Sequence, residues 1–187
     1  IKMENTHVSL KKSSFQKINV MRYKELRPRL IEKNPALLDK YIGWFVSEKI
    51  DGWQAIWDGK NTLYTKSYKR KFSVPKSWLK RLPKVPLAGE IKIKGQNAAS
   101  TASLVAWPRG KGHNEEKWAK ARFYVFDLLD KRNRNKPFKK RVKLMKVIVD
   151  TSCKKIRNCP LICAKQIVAK SRKSIISSYK RVLKKNG

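Results

Sequence analysis

The sequence predicts an α+β fold. Strand patterns of alternating apolar and polar residues fill the middle of the chain, and helix patterns are interspersed among and after them. The chain has 187 residues, of which 41% are hydrophobic and 10% aromatic. This length and composition support one ordinary domain, or one domain with a small extension, and exclude a disordered basic tail.

The N-terminal part of the sequence is interpreted as a lead-in to the folded domain. Residues 1–16 are polar and include a Lys-Lys-Ser-Ser stretch, so we expect a basic N-terminal arm there and the folded domain over 17–187. From Val20 to Leu38, leucines and a tyrosine lie among two prolines, which predicts short helical turns that pack on something larger.

Strand patterns then follow in order along the chain. Trp53, Ala55 and Trp57 alternate with other residues, and the turn residues Asp58-Gly59-Lys60-Asn61 predict a hairpin. We expect two strands between Trp44 and Asp58, a returning strand over Thr62–Ser67, a third pattern from Leu87 to Ile93 and a fourth over Arg122–Leu129.

Two helices are predicted in the C-terminal third. Pro137 opens the first, in which apolar residues recur at steps of three and four up to Val149. A short strand is expected around Leu161 to Lys165. The final helix has Ser171 as a plausible N-cap and Gly187 where a C-terminal glycine belongs.

The charge of the chain calls for an anionic partner. Lys and Arg total 47 against 13 Asp and Glu, a formal net charge of +34. Nucleic acid is the natural partner, because each phosphate that Lys or Arg neutralises releases condensed counterions. An anionic membrane surface and a ribonucleoprotein assembly are the alternatives that composition leaves open.

The sequence also bears on compartment. Its apolar runs fall far short of the roughly 20 residues of a membrane span, so no transmembrane helix is expected. Cys153, Cys159 and Cys163 are odd in number and lack a His pair, which predicts reduced, packed thiols rather than a disulfide framework or a zinc site. An intracellular setting is the default, and the compartment stays open.

Carboxylates are scarce in this sequence, so a carboxylate inside a predicted strand is a candidate functional residue. Four qualify: Glu48, Asp51, Glu90 and Asp127. Glu48 or Asp51 alone is most simply an ion-pair partner of a neighbouring lysine, and a structural hydrogen-bond acceptor is an equal alternative for Asp127. Together they belong to an ordered set, Lys-x-Asp-Gly at 49–52, Ala-Gly-Glu at 88–90 and Phe-Asp-Leu-Leu at 126–129, spaced by about forty residues. A lysine between carboxylates, followed by a glycine that lets a ligand approach the backbone, suits a nucleotide site.

This ordered set resembles the nucleotidyltransferase domain of ATP-dependent DNA ligases, within the superfamily shared with RNA ligases and mRNA capping enzymes. The match covers Val20 to Gly187, and its strongest stretch, WFVSEKIDGWQAIWDG, looks like the small ligases of bacteria, large DNA viruses and kinetoplast mitochondria. PKSWLKRLPKVPLAGEI, Ser103-Leu104-Val105 and Trp118 before FYVFDLL support the same group. The resemblance implies mixed, mostly antiparallel sheets with flanking helices around an ATP cleft.

The resemblance assigns roles to these residues. Lys49 would be the nucleophile that attacks the α-phosphate of ATP, and Glu48 would contact the adenine edge. Phe126 matches the aromatic that stacks on the purine, although core packing explains a Phe on an apolar strand more simply. Glu90 matches the glutamate that contacts the ribose or supports Mg²⁺. The expected nucleotide-binding residues are Glu48, Ile50, Asp51, Gly52, Lys66, Glu90 and Phe126.

The later family steps transfer AMP to the 5′-phosphate of a nick and join it to the neighbouring 3′-hydroxyl. Nicked duplex DNA is therefore the expected partner, with RNA as the alternative. Each basic residue near the motifs is alone most simply a solvated charge, but together they need an anion. The candidates for a clamp on the phosphodiester backbone are Lys66, Lys69, Arg70, Lys71, Arg109 and Lys111.

The sequence departs from the family at three points. Gln54 stands where the family pattern Lys-x-Asp-Gly-x-Arg has arginine, and Thr65-Lys66 replaces Ser-Arg. The family also has a Glu-Gly strand and a Lys-x-Lys strand after a helix like the one that ends at Gly187, and neither occurs in this sequence. We therefore expect either a C-terminally incomplete adenylation domain of a longer ligase, or a noncatalytic ligase-derived domain that binds RNA or DNA in a larger nucleoprotein assembly. A capping guanylyltransferase or RNA ligase is the third hypothesis, and transfer of GMP rather than AMP would identify a capping enzyme.

Overall fold

Two antiparallel-rich sheets with helices around them form the structure, a computed structural model that describes residues 2–4, 23–25, 28–66, 70–104, 115–133 and 135–186. The α+β class is confirmed. In chain order the elements are β1 (Lys2–Glu4), β2 (Tyr23–Glu25), α1 (Pro28–Lys33), a 3₁₀ helix (Pro35–Tyr41), β3 (Phe45–Ser47), β4 (Trp53–Trp57), β5 (Leu63–Thr65), α2 (Lys76–Leu79), β6 (Leu87–Ile93), α3 (Ala98–Ala102), α4 (Glu115–Lys120), β7 (Ala121–Leu128), α5 (Phe138–Cys153), β8 (Leu161–Cys163), β9 (Gln166–Val168) and α6 (Arg172–Asn186).

The chain divides into two units. Unit 1 comprises residues 1–49 and 165–187, and unit 2 comprises residues 50–164. Unit 1 is therefore discontinuous in sequence, whereas unit 2 is one continuous segment. The expected arm over 1–16 contributes β1 to unit 1, and the other residues of that arm lie outside the described residues.

Unit 1 is built on a four-stranded sheet in the order β2-β1-β3-β9, all antiparallel. Its α6 begins as the sequence predicts, because the Ser174 amide donates to Ser171 Oγ at 3.2 Å and the Ser171 amide donates to Ser174 Oγ at 3.1 Å. The buried core of the unit consists of Ile31, Leu38, Tyr41, Val46, Ala169, Ile175 and Tyr179.

Unit 2 is built on a five-stranded sheet in the order β5-β4-β6-β7-β8. All its pairs are antiparallel except β7 with β8, which run parallel. One face of the sheet supplies the larger core. The fully buried members of this core include Trp57, Leu63, Leu87, Ile91, Ile93, Trp78, Trp118, Phe123, Val125 and Met145.

The alternation predicted from sequence matches the faces of this sheet. Ala55 and Trp57 of β4 lie in the core, whereas Gln54 of the same strand does not. Because successive side chains of a strand point to opposite faces, Gln54 and its neighbours across the sheet lie on the face opposite the core. Helix α5 likewise buries Phe138, Met145 and Val149 and leaves its lysines exposed.

The expectation of reduced thiols is wrong for two of the three cysteines. Cys153, at the end of α5, and Cys159, just before β8, form a disulfide with their Cα atoms 5.3 Å apart. The chain reverses between the helix and the strand, which brings the two Cα atoms within bridging range. Cys163 has a free thiol, and burial raises its pKa.

Over the residues that the structure describes, none of the helices is both long enough and apolar enough to cross a membrane.

Candidate nucleotide-binding site

The predicted nucleophile lies directly after a short buried strand. β3 ends at Ser47, Glu48 is half-buried, and Lys49 is exposed. Ile50 is buried again, at 8% exposure. Lys49 ends the first of the two segments of unit 1, and Ile50 is the first residue of unit 2. The chain thus presents the exposed amine of Lys49 where it first passes from unit 1 to unit 2.

Asp51 and Trp53 attach this segment to α3 within unit 2. The backbone amide of Ala98 donates to Asp51 Oδ2 at 3.2 Å, and Trp53 Nε1 donates to the carbonyl of Ala98 at 3.1 Å. Asp51, predicted to bind nucleotide, therefore already has an intramolecular partner. These two bonds hold the chain after Lys49 in a defined path.

Gly52 is required by the approach of one backbone to another. A Cβ atom at this position would lie 2.3 Å from the carbonyl oxygen of Ile91 in β6. The sequence suggested that this glycine makes room for a ligand. The structure shows that it makes room for the neighbouring strand, and that any larger residue would push β6 away.

A row of polar side chains crosses the sheet of unit 2 on the face opposite its core. Gln54, Glu90 and Tyr124 occupy paired positions on β4, β6 and β7. Glu90 is only 7% exposed. The amide nitrogen Nε2 of Gln54 is buried and has no hydrogen-bond partner among the described residues. A buried carboxylate beside a donor without a partner is a costly arrangement, of the kind typical of binding sites.

Phe126 stands at an irregularity of β7. Ala88 pairs with Asp127 but Gly89 pairs with Val125, so Phe126 is the extra residue of a β-bulge. Phe126 is buried, at 7% exposure, yet it lies outside the main core cluster of unit 2. Bulges redirect a side chain and are common beside active sites. The bulge therefore gives Phe126, the predicted stacking residue, a direction that regular strand alternation would not give it.

Asp127 has a structural role, which was one of the two interpretations that its sequence allowed. Its carboxylate accepts from Arg141 Nε at 2.8 Å and from Arg141 Nη2 at 3.1 Å, and from the Leu128 amide at 2.8 Å. Burial raises the pKa of the Asp127 carboxyl, and Arg141 opposes that rise. The bidentate pair ties α5 to the end of β7.

The predicted clamp cations are only partly described. Lys66 is exposed directly after β5, and Arg70 and Lys71 are exposed on the segment that returns along it. The Thr65 amide donates to the carbonyl of Arg70 at 2.9 Å, and Lys71 Nζ lies 5.8 Å from the ring centre of Tyr64. These cations share the β5 edge of the sheet. Lys69, Arg109 and Lys111 lie outside the described residues.

Comparison with known proteins gives this geometry a context. The DNA ligase of Haemophilus influenzae is 30% identical over 88 residues, which are 47% of this chain and 30% of that protein. A solved structure of Lig E DNA ligases matches with a TM-score of 0.62 and 25% identity, over 76% of this chain and 52% of that one. This chain has the fold of a DNA ligase nucleotidyltransferase domain.

A second solved structure supports the same fold. Chlorella virus DNA ligase-adenylate matches this ligase-like domain with a TM-score of 0.60 and 22% identity, over 74% of this chain and 49% of that one. The chain thus spans about half the length of the solved ligases that it matches. No protein-family model matches it.

The resemblance to ATP-dependent ligases implies Mg²⁺, so the described residues should include suitable metal ligands. Within the described ranges, no group of three or more His, Cys, Asp or Glu side chains is placed to hold a metal ion. Mg²⁺, however, is usually held by one or two carboxylates together with substrate phosphates. Glu90 is a carboxylate on the polar row, so the donor set is compatible with a Mg²⁺ ion held mainly by phosphates.

The ligase-like domain also contains a cavity in unit 1 that sequence reasoning missed. Its volume is about 170 Å³, and it includes Glu48, the residue before Lys49. Ser178 and Arg181 of α6 line it, and their spacing of three residues places them on one helix face. The cavity is lined by Val46, Ser47, Glu48, Lys165, Ile167, Ser178, Arg181 and Val182.

Proposed function

We propose that the chain is the adenylation domain of an ATP-dependent DNA ligase, and that the whole protein seals nicks in DNA. The observation that carries the proposal is the exposed Lys49 in the sequence Glu-Lys-Ile-Asp-Gly, at the end of a strand in a ligase-like fold. The similar proteins are DNA ligases, and this chain spans part of each.

The proposed first step is nucleotidyl transfer to an amine. The unprotonated Nζ of Lys49 attacks the α-phosphorus of ATP and forms a P–N bond. The P–O bond to the β-phosphate breaks, and pyrophosphate leaves with the electron pair of that bond. The amine proton goes to solvent, and lysine-linked AMP remains. Mg²⁺, where bound, would neutralise the charge that develops on the phosphates.

Each remaining site residue has a proposed role that its position supports. Phe126, the extra residue of the β7 bulge, would stack on the purine, and Glu48 would contact its edge. Glu90, buried on the polar row, would bind the ribose or the metal. Ile50, Asp51 and Gly52 would fix the path of the chain at Lys49, since Asp51 is bonded to α3 and Gly52 packs on β6.

The proposed acceptor is the 5′-phosphate of a nick in duplex DNA. AMP would pass to that phosphate, and the adjacent 3′-hydroxyl would then displace AMP. The exposed cations on the β5 edge, Lys66, Arg70 and Lys71, would contact the phosphodiester backbone, as would Lys69, Arg109 and Lys111. A net charge of +34 supports a large electrostatic contribution to this binding.

Intact-mass spectrometry after incubation with ATP and Mg²⁺ tests the first step. We expect a mass gain of one AMP in this chain or in its full open reading frame, and no gain in Lys49→Ala. Lys60→Ala is the matched control, because Lys60 is an exposed lysine in the turn after β4. An adduct that persists in Lys49→Ala would contradict the assignment of the nucleophile.

A second candidate function is noncatalytic binding of RNA or DNA in a larger nucleoprotein assembly. The net charge of +34 and the presence of Gln54, where the family pattern has arginine, favour it. The same mass experiment separates the two functions. Absence of any adduct with ATP or GTP, in both the chain and the full reading frame, would favour this second function if nucleic-acid affinity is retained.

A further inference from the structure

The disulfide closes a short loop that carries three exposed cations. Lys154, Lys155 and Arg157 lie between Cys153 and Cys159, and all three are exposed. Elsewhere in the described chain, several exposed cations have a carboxylate at hand, as Lys120 has Glu116. No described carboxylate forms an ion pair with any of the three loop cations. The loop therefore presents positive charge that no carboxylate of the described residues pairs with.

Two hydrogen bonds besides the disulfide tie the loop to its surroundings. The Ile156 amide donates to the carbonyl of Cys153 at 3.1 Å, and Arg81 Nη1 donates to the carbonyl of Asn158 at 3.3 Å. Asn158 has a φ of +56°, in the left-handed region that asparagine tolerates better than most residues. A cationic loop that is already ordered loses less conformational entropy when it binds a ligand.

More positive charge lies close to the base of this loop. Burial lowers the pKa of the Arg81 guanidinium, and the nearby charge of Arg122 lowers it further. Arg122 in turn occupies the position on β7 that pairs with Lys92 on β6. Like charges that face each other across a sheet destabilise the free protein. An anion bound here would relieve this repulsion.

The loop is separate from the clamp predicted from sequence. It leads into β8, which is one edge of the five-stranded sheet, whereas Lys66, Arg70 and Lys71 lie beside β5, the other edge. Four strand spacings separate these edges, a distance of about 19 Å. A partner that contacts both edges must therefore be an extended anion, and a nucleic-acid backbone with its regular phosphates fits this requirement.

We propose that the disulfide loop, residues 154–158, is a second contact site for the phosphate backbone of nucleic acid. Lys154, Lys155 and Arg157 neutralise phosphates there, and Arg81, Lys92 and Arg122 add to the positive potential. The inference rests on the proposed function because it takes DNA as the partner. It does not require that the protein be catalytically active. It assigns the disulfide a role in recognition, because the bond fixes the cations that bind.

The salt dependence of duplex binding tests this contact site. Affinity for a short labelled duplex without a nick is measured by fluorescence anisotropy, without ATP, between about 50 mM and about 200 mM salt. The loop variant carries Lys154→Gln, Lys155→Gln and Arg157→Gln. The slope of log K against log salt should become shallower by about 0.9 for each lost contact, or by about 2.7 for three contacts.

The matched control removes the same charge from another surface. Lys173→Gln, Lys180→Gln and Lys184→Gln change three exposed lysines of α6. We expect this control to change the slope by less than about 0.9, that is, by less than one contact. A charge-preserving variant, Lys154→Arg with Lys155→Arg, should keep the slope of the wild type. Equal slope changes in the loop and α6 variants would overturn the inference.

The proposed function and this inference can fail separately. If no AMP adduct forms while the loop variant still loses slope, the ligase proposal fails and the contact site stands. If the adduct forms while the loop variant keeps the slope of the wild type, the contact site fails and the ligase proposal stands.

Discussion

Replacing Arg141 with methionine would leave a buried carboxylate without its cation. The Asp127 side chain is 5% exposed and the Arg141 side chain 8% exposed, and two hydrogen bonds of 2.8 and 3.1 Å join them. Arg141→Met removes both bonds, and the Leu128 amide then remains as a donor to Asp127. Breaking a buried pair on one side costs about 3–5 kcal/mol, because the remaining charge is uncompensated.

This cost converts to a measurable change in melting temperature. In a chain of 187 residues, each kcal/mol shifts Tm by about 2–4 °C, so Arg141→Met should lower Tm by about 6–20 °C. Circular dichroism on heating gives Tm, and urea unfolding gives the free energy of unfolding. Lys140→Met is the matched control on the exposed face of α5, and we expect an effect within about 0.5 kcal/mol.

The pH dependence of the variant sharpens the test. Burial raises the pKa of Asp127, and without Arg141 nothing of comparable strength opposes that rise. A raised carboxyl pKa means that the folded state binds the proton more tightly than the unfolded state. The deficit of Arg141→Met relative to the wild type should therefore be smallest below the unfolded pKa of about 3.9 and should grow as pH rises through the folded pKa of Asp127.

Two outcomes would refute this reasoning. A loss of less than about 1 kcal/mol in Arg141→Met would show that the pair is not coupled to folding as the geometry requires. A deficit that grows as pH falls would show that the carboxylate is not the source of the cost. The double variant Arg141→Met with Asp127→Leu should recover most of the stability, since apolar replacements of a buried pair are often neutral or better.

Three further predictions concern local structure. Gly52→Ala places a methyl group 2.3 Å from a β6 carbonyl oxygen, so Tm should fall by several degrees, and an unchanged Tm would contradict the close approach. Ser171→Ala removes the α6 cap and should cost about 1 kcal/mol in urea unfolding, whereas Ser177→Ala, which keeps the cap, should cost less. Hydrogen bonding to Arg172 lowers the pKa of Asp39, so the stability that this pair contributes should be lost as pH falls through that lowered pKa. Asp39→Asn cannot take up this proton and should therefore lose less stability than the wild type on acidification. Thermal unfolding measured across acidic pH compares the two proteins.

Local patterns allowed much of the fold to be predicted. Alternation places β4 and β6 correctly, and the steps of three and four residues give the buried face of α5. The motif residues Glu90 and Phe126 lie on predicted strands for the same reason. Periodicity shows which face of a helix or strand is apolar, and it can be read from that segment of the sequence alone.

Long-range pairing could not be predicted in this way. The three-residue strands β1 and β9 have too few residues to show a period, and they exist because β3 pairs with them. The Cys153–Cys159 bond depends on how the end of α5 turns toward β8, which cysteine counting does not reveal. The partner of Asp127 lies fourteen residues away on a helix, so its structural role becomes visible only once α5 packs on β7.

The discontinuity of unit 1 also constrains when that unit can be completed during synthesis. Ribosomes deliver the chain from its N-terminus, and domains tend to fold as they emerge. β3 pairs with β1 on one side, but its other neighbour, β9, lies beyond the whole of unit 2. One edge of the strand that precedes Lys49 therefore stays open until residues 166–168 have been made, and such an open edge can pair with other chains. Unit 2, continuous in sequence, can fold first and shorten the time for which that edge remains exposed.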